Sequence, residues 1–200
     1  MVNNLKLIKL LRLVNKKLKN DIDKYSLIKE YFDIYVGLVS GKESVYKNKE
    51  YGNIEVLNGE HKIDKYIFIE EFPTKNKKIN NYLLDHKDVL INRKIKKFNE
   101  HNWFEWGAPR NIKTIEKNIG KECIYIYNLT RQQNIAFKGK VKYFGGGLIM
   151  LIPNKHINLD NVISYLNSDE FKHNFMYSGR FKIGHRQISN SFIPMKYLSL

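Results

Sequence analysis

Residues 178–190 read Ser-Gly-Arg-Phe-Lys-Ile-Gly-His-Arg-Gln-Ile-Ser-Asn and gather Arg180, Lys182, His185, Arg186 and Gln187 around Gly179 and Gly184. Such a density of planar and cationic groups suits phosphate oxygens and base edges: arginine can offer two parallel donors to guanine, and glutamine can both donate to and accept from adenine. The chain holds 29 lysines but only 6 arginines, beside 24 isoleucines and 23 asparagines. That usage reflects a coding bias toward Lys, Asn and Ile, so an arginine carries more information here than a lysine. Arg110-Asn111 behind Pro109, Arg131, and the Ser40-Gly41-Lys42 turn complete the candidate DNA contacts.

Other chemistries leave fewer traces. Asp160 followed by Glu170-Phe171-Lys172 has the Asp…Glu-x-Lys order of metal-dependent nucleases, in which two carboxylates hold a cation and a lysine assists the attacking water. Glu60-His61-Lys62 is a second, shorter match. Those residues belong on and beside a strand, whereas 160–172 patterns as a helix. The six histidines never show the His-x-x-x-His spacing of a metal-binding helix, so no metal site is expected. Cys123 is the only cysteine, which excludes an internal disulfide and a Cys-based zinc site. Its apolar neighbours, Ile124-Tyr125-Ile126-Tyr127, point to a buried structural thiol. None of the four prolines are adjacent, so the Asn/Asp-Pro-Pro-aromatic motif that holds a flipped adenine is absent. Gly145-Gly146-Gly147 lacks the spacing of a nucleotide fingerprint and reads as a bend. No cofactor is expected in this chain.

Two hundred residues with 42% apolar and 13% aromatic content can bury a substantial core. The formal net charge of +15 favours a polyanionic partner. No apolar run approaches the roughly 20 residues that cross a bilayer, and lysines interrupt the N-terminal apolar stretches. An intracellular protein without a membrane partner is therefore expected, in cytoplasm or nucleoid, or in a nucleus if the source is eukaryotic or viral.

The elements that position these residues follow from periodicity. Apolar residues at 5, 7, 8, 10, 11, 13, 14 and 18 predict an amphipathic helix over 5–19, and residues 80–98 and 159–176 predict two more, the last with Asn158 as N-cap. β-Branched and aromatic runs predict strands over 31–39, 53–57, 65–69, 124–127, 136–143 and 148–152, with Asn58-Gly59 as a turn. Lys138, Lys140 and Lys142 alternate with Phe137, Val141 and Tyr143, placing the lysines on one solvent face. Trp103 reads as an apolar hinge between helix and sheet. The expected class is α+β, a curved, mainly antiparallel sheet with flanking helices. Residues 1–30 form an N-terminal helix and linker, and 31–200 the main domain.

In order along the chain, Phe32 to Lys42, Tyr82 to Lys87 with Leu90 and Arg93, Trp103 to Asn111, Tyr165 to Ser168, and Ser178 to Gln187 resemble the C-terminal target-recognition half of TaqI-type (gamma-class) adenine-specific DNA methyltransferases of restriction-modification systems. The resemblance implies recognition of double-stranded DNA by a fold of that kind. In that family S-adenosylmethionine is held by a catalytic half, which this chain lacks, so the resemblance leaves three readings: a fragment of a longer enzyme, one subunit of a split enzyme, or a free-standing descendant that kept only DNA recognition. In the split-enzyme reading a separate methyltransferase catalytic subunit is the partner and the helix over 5–19 its docking element. Two other readings stay open. A metal-dependent type II restriction endonuclease would assemble Asp160 and Glu170 with a third acid. A non-catalytic protein- or membrane-binding module would act through the helix over 5–19.

Overall fold

The computed structural model describes residues 24–94, 97–129, 131–173 and 182–199; the segment 5–19 and Arg180 lie outside the described residues. In chain order the elements are β1 (Tyr25–Leu27), β2 (Phe32–Val36), the short α1 (Glu43–Tyr46), β3 (Ile54–Gly59), β4 (Lys62–Tyr66), α2 (Lys77–Asp85), α3 (Lys87–Ile91) and α4 (Ile112–Asn118). They continue with β5 (Glu122–Tyr127), β6 (Ala136–Lys140), β7 (Leu148–Pro153), α5 (Leu159–Leu166), α6 (Asp169–His173), α7 (His185–Ser189) and β8 (Phe192–Pro194). The class is α+β. A four-stranded sheet runs in the order β2-β7-β5-β6, and β3-β4 and β1-β8 form separate pairs, all antiparallel.

Strand periodicity explains why the main sheet sits at the centre. Along β5 and β7 both alternating sets of side chains are apolar, so each face of the sheet needs a cover. Ile124, Ile126, Ile149 and Leu151 pack with Val162 and Leu166 of α5 and Phe171 of α6. Cys123, Tyr125, Leu148 and Met150 face the other way, onto Ile115 of α4 and Phe144. A third cluster joins the β3–β4 hairpin to α1, α2 and α3 through Tyr46, Val56, Tyr66, Leu83 and Leu90, with Trp103 and Trp106 buried in it. Trp103 is thus the apolar anchor that its sequence context suggested. Residues 25–30 join the same body: β1 pairs with β8, and Ile28 is fully buried.

Several boundaries differ from the sequence reading, each for a tertiary reason. The helix expected over 80–98 begins earlier, because the Asn76 side chain caps the amides of Lys78 and Ile79. It breaks at His86, and α3 stops at Ile91, after which the Arg93 side chain turns into the interior. The helix expected over 159–176 starts at the Asn158 cap as read, but it divides at Asn167-Ser168. There the Asn167 carboxamide bonds to the backbone of residues 135 and 136, and the Ser168 hydroxyl accepts from the Phe171 amide. The strand expected over 65–69 lies at Lys62–Tyr66, so the hairpin turns at Glu60-His61. Asn58 points inward instead, donating to Asp64 and Tyr66.

Cys123 is fully buried, and that burial pushes its thiol up to about 12. Native protein treated with iodoacetamide at pH 8 should therefore stay unlabelled by mass spectrometry, and denatured protein should take one label. Rapid native labelling would mean that this face of the sheet opens.

Candidate nucleic-acid interface

Three separate parts of the chain meet at one open cavity of about 790 Å3, lined by Ile34, Val36, Arg110, Asn111, Gly184, His185, Arg186 and Gln187. β2 forms the wall through Ile34 and Val36, both only half-buried. Asn111 adopts a left-handed backbone (φ 60°), a conformation that asparagine tolerates better than most residues. This bend opens α4 through the bond from the Ile115 amide to the Asn111 carbonyl, at 2.8 Å. The Asn111 side chain donates to the Val36 carbonyl at 3.1 Å, which ties the Arg110-Asn111 corner to β2.

The opposite rim is the start of α7. The Gln187 side-chain oxygen accepts from the Gly184 amide at 2.8 Å, an N-terminal cap in which the glycine has no side chain to reciprocate. His185 Nε2 lies 3.1 Å from the Ile34 carbonyl. A carbonyl only accepts, so Nε2 is the donor in this contact. These two contacts fix the α7 turn against β2. The guanidinium groups of Arg110 and Arg186 are exposed and have no hydrogen-bond or ion-pair partner among the described residues. Gln187 keeps its amide nitrogen and Asn111 its amide oxygen for a ligand.

The remaining candidate residues lie elsewhere. Ser40 is almost fully buried and its hydroxyl donates to Glu43, so it shapes the turn. Gly41 has φ +82°, a left-handed value that suits glycine, and Lys42 follows half-exposed at the start of α1. Lys182 is exposed and pairs in a bridge with Leu129, outside the cavity lining. Arg131 is exposed in the loop between β5 and β6, likewise outside that lining.

One polar cluster has no counterpart in the sequence reading. A cavity of about 400 Å3 beside Leu38 and Val39 is lined by Glu43, Lys47, Asn58, Lys62, Asp64 and Tyr66 and rimmed by Gly146 and Gly147. Tyr66 donates to Glu43, and burial, then that hydrogen bond, raises its pKa above the tyrosine range. Burial alone would raise the Asp64 pKa, but hydrogen bonds from Lys47 and Asn58 outweigh it and hold the carboxyl low. Its members come from three elements, so no local spacing could reveal it. Asn58, Lys62, Gly146 and Gly147 stand out in the sequence only for other reasons, as parts of a turn signal, a Glu-His-Lys match and a glycine bend.

The nuclease-like residues do not converge. Asp160 is exposed and pairs with Lys138 at 3.5 Å, and Lys172 pairs with Asp169 at 3.2 Å. Among the described residues no three His, Cys, Asp or Glu side chains are placed to hold a metal ion. Glu60-His61 forms the hairpin tip. No helix of the described residues is long and apolar enough to cross a membrane.

No family model matches the chain. It is 28% identical over 201 residues to the type II methyltransferase M.MjaIV of Methanocaldococcus jannaschii, covering 84% of this chain and 66% of that protein. The chain thus spans just under two thirds of that relative. Among solved structures, the type IIG restriction endonuclease BpuSI aligns over 92% of this chain and 26% of its own, at 14% identity and TM-score 0.47. A type I restriction-modification S subunit from M. genitalium aligns over 91% of this chain and 37% of its own, at 13% identity and TM-score 0.40.

Proposed function

We propose that the chain reads double-stranded DNA as the target-recognition part of a restriction-modification methyltransferase, and within that class of a TaqI-type adenine-specific one. The observation that carries this reading is the cavity where Arg110 and Arg186 stand unpartnered among the described residues, with no acidic side chain in the lining. The similarity to a type II methyltransferase supports it. In this reading the two arginines take guanine edges or phosphates, Gln187 and Asn111 offer their remaining amide groups, and lysines outside the cavity, such as Lys42, neutralise the DNA backbone. The chain has neither a cofactor loop nor a Pro-Pro motif, so S-adenosylmethionine and the methyl transfer belong to a separate catalytic subunit or domain.

The test is binding to a randomised duplex pool and then to the duplex it selects. Affinity should fall linearly with salt on logarithmic axes as counterions are displaced. Arg110→Ala and Arg186→Ala should each cost roughly 1 to 3 kcal/mol on the selected duplex and little on random DNA. Lys42→Ala should weaken all duplexes alike and lower the salt slope by about 1. No binding at low salt would end the reading. Calorimetry with S-adenosylmethionine should be flat, and saturable binding would overturn the division of labour between this chain and a partner.

A further inference from the structure

Arg93 lies outside the cavity, yet it has an environment that packing alone does not explain. The residue is 8% exposed, and it takes part in none of the ion pairs among the described residues. Burial lowers its pKa, but a guanidinium keeps its proton in a protein. Nε donates to the Leu90 carbonyl at 2.6 Å, and the two Nη groups donate to the carbonyls of Ser40 at 3.1 Å and Trp103 at 2.6 Å. The Phe98 ring lies 3.4 Å beneath the guanidinium. An apolar side chain of similar volume would fill this space without desolvating a charge. What arginine adds is a rigid planar fork joining three segments of chain.

Two of those segments lead to the cavity. The Ser40 carbonyl also accepts from the Gly107 amide at 2.9 Å, and Val39 and Ala108 exchange bonds of 3.0 and 2.8 Å. Asn111 then bonds to Val36 at 3.1 Å. Residues 36–40 and 107–111 are therefore laced together along their length, and Arg93 holds the Ser40 end of the lacing to Trp103 and to the last turn of α3. Gly41 fits the same device: a Cβ there would lie 3.3 Å from Arg93 Nη1 and 3.3 Å from the Gly107 Cα.

We propose that Arg93 is a positioning residue for DNA reading: by fixing the turn 40–42 against the loop 103–111, it sets where Arg110 stands opposite Arg186. This role rests on the DNA-reading proposal. Lysine would keep the charge but lose the fork, because a compact ammonium cannot span three carbonyls in one plane.

The test uses the full chain with Arg93→Lys, Arg110→Ala and both together. It reads affinity for selected and random duplex across salt, and backbone amide exchange at Val39, Gly107 and Ala108. Arg93→Lys should speed exchange at those amides but not in β5 and β7, and should cut sequence preference roughly tenfold. The salt slope should not change, since no phosphate contact is lost. The double variant should discriminate no worse than Arg110→Ala alone, because both changes act on one contact. Additive losses, or an unchanged preference despite faster exchange, overturn the positioning role and leave DNA reading intact. If the unaltered chain shows no preference at low salt while Arg93→Lys still loosens these amides, DNA reading falls and this proposal with it. Should Arg93→Lys lack a cooperative thermal transition, Phe98→Leu keeps the fork and removes the ring beneath it. It should then give the same pattern with a smaller loss, and an unchanged preference there overturns the proposal.

Discussion

Gly37→Ala is expected to destabilise the chain by about 3 kcal/mol, at the upper end of what overpacking a filled site costs. A Cβ at this position would stand 2.1 Å from the Gly145 carbonyl oxygen, 2.4 Å from its carbonyl carbon and 2.9 Å from the Gly146 nitrogen. All three are backbone atoms, so no side-chain rotation can clear the space. The opposing segment cannot easily retreat either, since the Leu38 amide bonds to the Phe144 carbonyl at 2.8 Å and the Gly145 amide to the Leu57 carbonyl at 2.9 Å. For a domain of this size the loss corresponds to a fall in Tm of roughly 6 to 12 °C. Gly147→Ala is the control: a Cβ there meets nothing within 4 Å, and its Tm should stay close to that of the unaltered chain. Equal melting of the two variants would show that the approach of residue 37 to the glycine bend is not as close as described. If the chain reads DNA as proposed, the change should also weaken that binding, because Val36, the preceding residue, carries the carbonyl that holds Asn111.

Asn167→Leu should cost a similar amount by the opposite route, removing partners without crowding. The Asn167 side-chain oxygen accepts from the amides of Ile135 and Ala136, each at 2.8 Å, and its nitrogen donates to the Ala136 carbonyl at 2.9 Å. Ile135 and Ala136 are buried, so leucine would leave three backbone groups poorly satisfied at the head of β6. Each such group costs about 1 to 3 kcal/mol where water cannot reach it, and partial rehydration sets the expected total near 3 kcal/mol. Asn167→Asp retains the acceptor for both amides but sets an oxygen against the Ala136 carbonyl, so its loss should be intermediate. Urea unfolding at neutral pH measures all three proteins. A loss below about 0.5 kcal/mol for the leucine variant would fit an exposed residue and would refute the bridging role.

The sequence by itself determined the class and much of the local structure. Apolar runs at 124–127 and 148–152 marked strands, Asn158 marked the start of α5, and the setting of Cys123 and Trp103 marked both as interior. Those features depend on side-chain periodicity and capping within a few residues, and both are written locally. Tertiary structure decided where helices stop: α5 ends where Asn167 reaches a strand about 30 residues away, and α3 ends short of Arg93, whose partners lie 53 and 10 residues distant. It also decided the hairpin register, since Asn58 turned inward to Asp64 and Tyr66 and displaced the turn to Glu60-His61. The arginines stood out by their scarcity, but composition could not say that Arg110 and Arg186 share a cavity while Arg93 does not reach it. Which side chains meet depends on how β2, α4 and α7 close long loops on one another. Loop closure costs little more with each added residue, so spacing along the chain leaves no mark of such a meeting.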